Sequence, residues 1–189
     1  MDYKGILKML KKYHQRTFEH SFNVARLNVQ FGSFLGLDLD QLNALYISGL
    51  LHDIGKLYVP LDILTKKGKL TEEDFERIKE HPKKGVLILS KITLGKYEKY
   101  RSLISNVQLT HHMFNKGKSY PEIEIEKSYI SNITSICDVY EALSSERDYK
   151  KNLSKDECIK IMKKIAFDKY LFNEFLKFEN VVEKEGTNN

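Results

Sequence analysis

Little in this chain suggests a sheet, a membrane span or a disulfide scaffold. Its two cysteines, Cys137 and Cys158, are widely separated. That excludes a disulfide framework and a thiolate zinc site, and makes a reducing, cytoplasmic setting the expectation. Only three prolines occur, Pro60, Pro82 and Pro121. Period-two alternation of apolar and polar residues is scarce, so strands are not expected. No apolar run approaches the ~20 residues that a membrane helix needs. The opening MDYKGILKMLKKYH is too polar for a signal peptide. No block of consecutive Lys or Arg reads as a nucleic-acid tail, and no repeat or long linker divides the chain.

What the chain does have is helical periodicity and an ordinary soluble balance, with 41% apolar and 30% charged residues in 189. Lys and Arg exceed Asp and Glu by 31 − 26 = 5, a mild basic excess that would attract an anionic substrate such as a phosphate ester. Residues 3–13 predict a short amphipathic helix with Ile6, Leu7 and Leu10 inward. Residues 16–35 predict a longer one carrying Phe22, Ala25, Leu27, Val29 and Phe34, ended by Gly36 in the left-handed conformation. Asp40 is the expected N-cap of the next helix, which runs through Leu42, Leu45, Ile47 and Leu50 to His52-Asp53. Residues 54–70 read as a connector, and Thr71-Glu72-Glu73-Asp74 has the pattern of a helix start. Pro82 is placed to open another helix, followed by helices over 99–112, 126–143, 154–166 and 168–182. The expectation is an all-α bundle of roughly seven to nine helices. Its main domain spans residues 15–182, after an N-terminal helical extension over 1–14 and before a frayed tail over 183–189.

Six histidines, His14, His20, His52, His81, His111 and His112, are distributed over this pattern. His52 and Asp53 end one helix, His81 precedes Pro82, and His111-His112 precede a loop over 113–121. Side chains at helix ends can project into a shared cleft. The two oxygens of an Asp can bridge two metal ions, and an adjacent imidazole can hold one of them. His20 lies within a helix, on a stripe with Asn23, Val24 and Leu27. Asp138 lies in the apolar run Ile136-Cys137-Asp138-Val139, where a buried carboxylate needs a partner. Taken singly, each is more often a capped helix end, a satisfied core residue or a solvated side chain. Together, five histidines and two aspartates make an ample nitrogen and oxygen ligand set for two ions.

Longer strings point to a family. Residues 52–89 read HDIGKLYVPLDILTKKGKLTEEDFERIKEHPKKGVLIL; His111-His112, Ser119-Tyr120-Pro121, CDVYEALSSERDYK and Ala166-Phe167-Asp168 follow. Over about residues 15–178 the chain resembles the HD-GYP branch of the HD-domain phosphohydrolases. The resemblance implies an HD-domain-like helical bundle and a metal-dependent phosphodiesterase that opens cyclic di-GMP to pGpG, and then to GMP, through a metal-bridging hydroxide. It implies two divalent transition-metal ions, iron or manganese, with zinc or others as alternatives. His20, His52, Asp53 and Asp138 would bind one ion. Asp53 would bridge to a second, held by His81, His111 and His112. Lys56 would hold a phosphate oxygen beside the catalytic Asp53, Arg147 and Lys150 would grip the substrate's phosphate backbone, and Tyr120 would border the site. Some members hold a third metal with a carboxylate one turn before the first His; Arg16 occupies that position here, so two ions are expected. His14 matches no motif. The expected partners are a cyclic dinucleotide and a signalling protein, with no membrane and no polymeric nucleic acid.

The chain departs from the family's loop, HHExxDGxGYP, by reading HHMFNKGKSYP. Met113 replaces a Glu, Lys116 an Asp and Ser119 a Gly; further on, Glu141 replaces an Asp and Asp148 a Pro. The acidic loop becomes basic, consistent with altered substrate recognition, a lost partner surface, or a loop that matters little to the metals. Two other functions therefore stand beside the first: an HD phosphohydrolase acting on another nucleotide or phosphate ester, and a non-catalytic cyclic-dinucleotide sensor or partner-binding module.

Overall fold

Asp2 starts the first helix. Its carboxylate accepts from the Gly5 amide at 2.8 Å, and α1 (Tyr3–Tyr13) turns Ile6, Leu7 and Leu10 into the core. The start of α1 is also pinned to the chain at Thr93, whose carbonyl accepts from the Tyr3 amide at 2.9 Å. The structure, a computed structural model, describes residues 1–114, 119–145 and 153–186. Among these, ten α-helical and two 3₁₀ segments occur, and one α segment, α4 (Leu61–Leu64), is a single turn. The all-α expectation holds.

Helix α2 (Gln15–Phe34) ends before Gly36, whose φ of +74° is the left-handed value expected there. Its buried face is not the one its large apolar residues suggest. Phe22 and Phe34 are exposed, whereas Thr17, Ser21 and Asn28 are buried beside Val24, Ala25 and Phe31. The cause is close packing and polar bonding against the next helix, α3 (Leu39–Leu51). A Cβ on Gly49 of α3 would lie 2.7 Å from Ala25 Cα, so the two backbones nearly touch. Asn28 donates to the Leu45 carbonyl at 3.1 Å and to Thr134 Oγ1 at 3.0 Å.

The cap of α3 is Asp38, not Asp40. Asp38 accepts from the Gln41 amide at 2.8 Å while the Gln41 side chain accepts from the Asp38 amide at 3.0 Å, a reciprocal capping box. Asp40 is two residues too late; it accepts from Tyr100 Oη at 2.8 Å and pairs with Lys99.

The expected connector contains a 3₁₀ turn (Ile54–Tyr58) and α4. Helix α5 (Glu72–Lys79) starts at Thr71 as expected, with Asp74 completing the capping box. Pro82 lies in the first turn of α6 (His81–Leu89). A second 3₁₀ turn (Gly95–Tyr100) leads into α7 (Arg101–Thr110), which leaves His111-His112 just beyond its end. Helix α8 (Tyr129–Ser144) is capped by Ser128, and α9 (Lys155–Met162) by Ser154. Asp168 accepts from the Leu171 amide at 2.9 Å at the start of α10 (Lys169–Gly186). Residues 187–189 of the expected tail lie outside the described ones.

Two apolar clusters form the core. One joins α1, α3, α6 and α7 through residues such as Leu10, Leu51, Leu89 and Ile104. The other joins α2, α8, α9 and α10 through Phe31, Ile133, Met162 and Phe175. Helices α2, α3 and α7 contribute to both, and the polar cluster described next is built from the helices that both clusters hold.

Candidate metal centre

Five helices deliver the predicted ligands to one place. His20 comes from the middle of α2, His52 and Asp53 from the end of α3, and His81 from the start of α6. His111 and His112 follow α7, and Asp138 sits on the inner face of α8. They form two groups, Asp53-His81-His111-His112 and His20-His52-Asp138, each with donor atoms within 4.8 Å of one another. Asp53 connects them. Its Oδ1 is 3.2 Å from His81 Nε2, and its Oδ2 is 3.5 Å from His52 Nε2 and 3.7 Å from His20 Nε2. His20 Nε2 is 2.9 Å and His52 Nε2 3.7 Å from Asp138 Oδ1. His14 is not in the cluster; its Nδ1 is 2.7 Å from Thr17 Oγ1.

Backbone carbonyls set the histidine tautomers. His52 Nδ1 lies 2.8 Å from the Gly49 carbonyl, His81 Nδ1 2.7 Å from the Ile78 carbonyl, and His111 Nδ1 2.9 Å from those of Val107 and Gln108. A carbonyl only accepts, so in each ring the proton is on Nδ1 and Nε2 is a lone pair. These lone pairs face other acceptors. His81 Nε2 is 3.3 Å from His111 Nε2 and 3.2 Å from Asp53 Oδ1. Among the described residues, His52 Nε2 and Asp53 Oδ1 are buried with no hydrogen-bond partner. Buried acceptors that face one another without a proton are costly. A cation between them removes the conflict, so the donor set fits divalent metals of the nitrogen- and oxygen-preferring kind.

The charges agree with that fit. Burial pushes His81 down to about 4 and His111 down to about 3, and holds His112 well below the usual imidazole range. Burial opposes ionisation of Asp53, but Lys56 and the surrounding histidines hold it well below the usual carboxylate range. Burial also opposes ionisation of Asp138, outdone above all by the hydrogen bond from His20 Nε2. At neutral pH His81, His111 and His112 are therefore neutral and Asp53 and Asp138 anionic, the forms that bind metal. His20 differs: burial disfavours its charge, yet bonds to Asp138 and Glu141 raise it to about 9.

These shifts predict how the metal-free protein responds to acid. The unfolded chain takes up histidine protons near pH 6.5, whereas folded His81 resists until about 4. Between those values the unfolded state binds more protons, so stability falls as pH falls. His20 contributes the opposite trend, its stabilisation full below about 6.5 and lost as pH rises through about 9. Thermal melts of chelator-treated protein should give the highest Tm near neutral pH, with a fall on acidification to pH 4. A Tm that rises from pH 6.5 to 4 would contradict the buried neutral histidines.

Lys56 pairs with Asp53 Oδ2 across one turn of 3₁₀ helix. Tyr120 stacks on His112, with ring centroids 4.6 Å apart, and meets Phe75 edge-on at 5.9 Å. Ser119, the replacement for Gly, accepts from the Phe114 amide at 3.1 Å and so closes its side of the loop. Arg147, Lys150, Lys116 and Asp148 lie outside the described residues.

Sequence reasoning missed three polar residues around the cluster. Ser135 donates to the His111 carbonyl and ties the end of α7 to α8. Lys127 donates to the Met113 carbonyl at 2.7 Å, and burial lowers it to about 8 against the opposing pull of Asp138. Glu141 bonds His20 Nδ1. Nothing local marks the first two. Glu141 could have been suspected from its place one turn after Asp138 on the same buried face of α8.

A helical bundle that gathers five histidines and two aspartates from the ends and faces of its helices defines a metal-centre domain of all-α type. The chain belongs to the HD domain family, whose model matches residues 6–170. It is similar to a cyclic di-GMP phosphodiesterase of Pseudomonas aeruginosa, 34% identical over 175 residues, 90% of this chain and 41% of that protein. It is also similar to a 3'3'-cGAMP-specific phosphodiesterase of Vibrio cholerae, 36% identical over 152 residues, 79% of this chain and 34% of that protein. The chain thus spans less than half the length of these relatives. Among solved structures, an HDG"Y"P protein of Bdellovibrio bacteriovorus shares the fold, with a TM-score of 0.65 and 17% identity over 88% of this chain and 52% of that one. Among the described residues, no helix is long and apolar enough to cross a membrane.

Proposed function

We propose that the chain is a metal-dependent phosphodiesterase that hydrolyses cyclic di-GMP to linear pGpG and then to GMP. The observation that carries this reading is the pair of donor groups joined through Asp53, with unprotonated Nε2 atoms turned toward one another and toward carboxylates. His20, His52 and Asp138 would hold one ion, His81, His111 and His112 the other, and Asp53 both. When bound, such a pair supplies Lewis-acid polarisation of phosphoryl oxygens and a water of lowered pKa. Iron and manganese are the preferred ions.

The chain's own groups supply the rest. Lys56 already sits against Asp53 and has a cation to place on a phosphate oxygen as charge develops there. Burial holds the Tyr120 phenol well above its usual range, so it keeps its proton beside His112 and can donate to substrate. Arg147 and Lys150 complete the proposed substrate contacts. The hydrolase unit of this reading is residues 15–182, with α1 packed onto it, working in the cytoplasm with a signalling protein as partner.

A second reading keeps the chemistry and changes the nucleotide. It is favoured by the relative named for 3'3'-cGAMP, whose identity of 36% matches that of the cyclic di-GMP relative, 34%. Incubation of the purified chain with Mn²⁺ or Fe²⁺ and each cyclic dinucleotide, followed by nucleotide chromatography, decides between them. Conversion of cyclic di-GMP to pGpG at the highest kcat/KM is expected. Faster turnover of 3'3'-cGAMP moves the assignment to the second reading, and no turnover of either across several metals rejects both.

A further inference from the structure

Glu141 is bonded more fully than a helix-surface carboxylate needs to be. It is only 7% exposed. Its Oε2 accepts from His20 Nδ1, while its Oε1 accepts from Asn23 Nδ2 at 2.9 Å and from Ser145 Oγ at 2.6 Å. Asn23 lies on α2 just after His20, and Ser145 follows the end of α8, so the carboxylate is held from both helices it joins. His52, His81 and His111 are backed by main-chain carbonyls, which no substitution removes. His20 alone of these four rings is backed by a side chain.

From this geometry we infer that Glu141 is the positioning residue of the His20-His52-Asp138 metal position. It keeps a proton on His20 Nδ1, so that an ion displacing the proton that Nε2 shares with Asp138 would find Nε2 as the lone pair. The inference rests on the reading of that triad as a metal site. A carboxylate can do this because both of its oxygens only accept. An amide of the same shape cannot do it equally. In Glu141→Gln, the arrangement that keeps both bonds from Asn23 and Ser145 puts the amide oxygen toward them and the NH₂ group toward His20. Nδ1 must then accept, and the ring proton moves to Nε2, where it blocks the metal. Alanine removes the bond without imposing that tautomer. A residue that only filled space would show the reverse order, with Gln benign and Ala harmful.

The test compares the wild-type chain with Glu141→Gln and Glu141→Ala. Each is loaded with Mn²⁺, desalted and assayed for metal by mass spectrometry across a chelator series, and each metal-free protein is melted. The wild type should hold two ions per chain. Glu141→Gln should hold one, with affinity at the other position reduced by roughly 10–100-fold, as for other ligand-orienting partners. Its loss should equal or exceed that of Glu141→Ala, although its metal-free Tm is the higher of the two. Two ions held by Glu141→Gln at wild-type affinity, or a greater metal loss in Glu141→Ala, overturns the inference and leaves the metal site standing. A wild type that binds no Mn²⁺ overturns the inference together with the site on which it rests.

Discussion

Asp53→Asn should yield a folded protein that retains no metal pair and loses at least about 10³-fold in phosphodiester hydrolysis, beyond the ~10²–10³ that removal of one charge-stabilising donor costs. Asp53 belongs to one donor group and reaches the other, with Oδ1 toward His81 and Oδ2 toward His52 and His20. An amide offers one oxygen where two are needed and no negative charge. Stability should change much less than activity. His81 Nε2 is a lone pair 3.2 Å from Oδ1, with its ring proton committed to Ile78. An Asn Nδ2 at that position donates to it and resolves the conflict between acceptors. That gain is set against the lost Asp53–Lys56 ion pair, so the metal-free variant should melt within a few degrees of the metal-free wild type. Loss of activity with a large fall in Tm would mean that Asp53 is mainly a structural residue. Differential scanning calorimetry with metal counting separates the two outcomes.

Among the described glycines, Gly55→Ala should be the most damaging. A Cβ on Gly55 would lie 1.9 Å from the His81 carbonyl oxygen and 2.5 Å from the Gly85 amide nitrogen. Both obstacles are backbone, so no rotamer change relieves them. The 3₁₀ turn must move off the start of α6, which carries Asp53 away from His81. Overpacking of this kind costs at least about 3 kcal/mol, a Tm fall of roughly 6–12 °C for a domain of this size. Metal retention should fall with it. The control is Gly68→Ala, where a Cβ meets nothing within 4 Å and neither quantity should change. A Gly55→Ala protein with wild-type Tm and metal content would refute the close approach of the two segments.

The proposed ligand residues were legible before the fold because most sit at punctuation marks of the sequence. His52-Asp53 follow an apolar helix, His81 precedes Pro82, and His111-His112 end α7. Those short strings also carried the family resemblance. Helix starts were legible where a cap and its N3 partner stood alone, as at Thr71 with Asp74. Asp38 and Asp40 offered the same cap chemistry two residues apart, and Gln41 decided between them through a reciprocal bond with Asp38. Local hydrophobicity misjudged α2, because its buried face is chosen by partners distant in sequence. Asn28 is buried to reach Leu45 and Thr134, while Phe22 is left exposed. Glu141 was hidden for the same reason. Beside Tyr140 it read only as a substitution for Asp, and its partner His20 lies 121 residues earlier.

Metal content is the most direct test of the account, since the proposed chemistry and the role of Glu141 both depend on it. The wild-type chain, purified without chelator and assayed by elemental mass spectrometry, should carry about two divalent transition-metal ions, the complement of a two-metal hydrolytic site. A chain that carries none, or whose ions remain after His52 and His81 are both replaced by alanine, would contradict it.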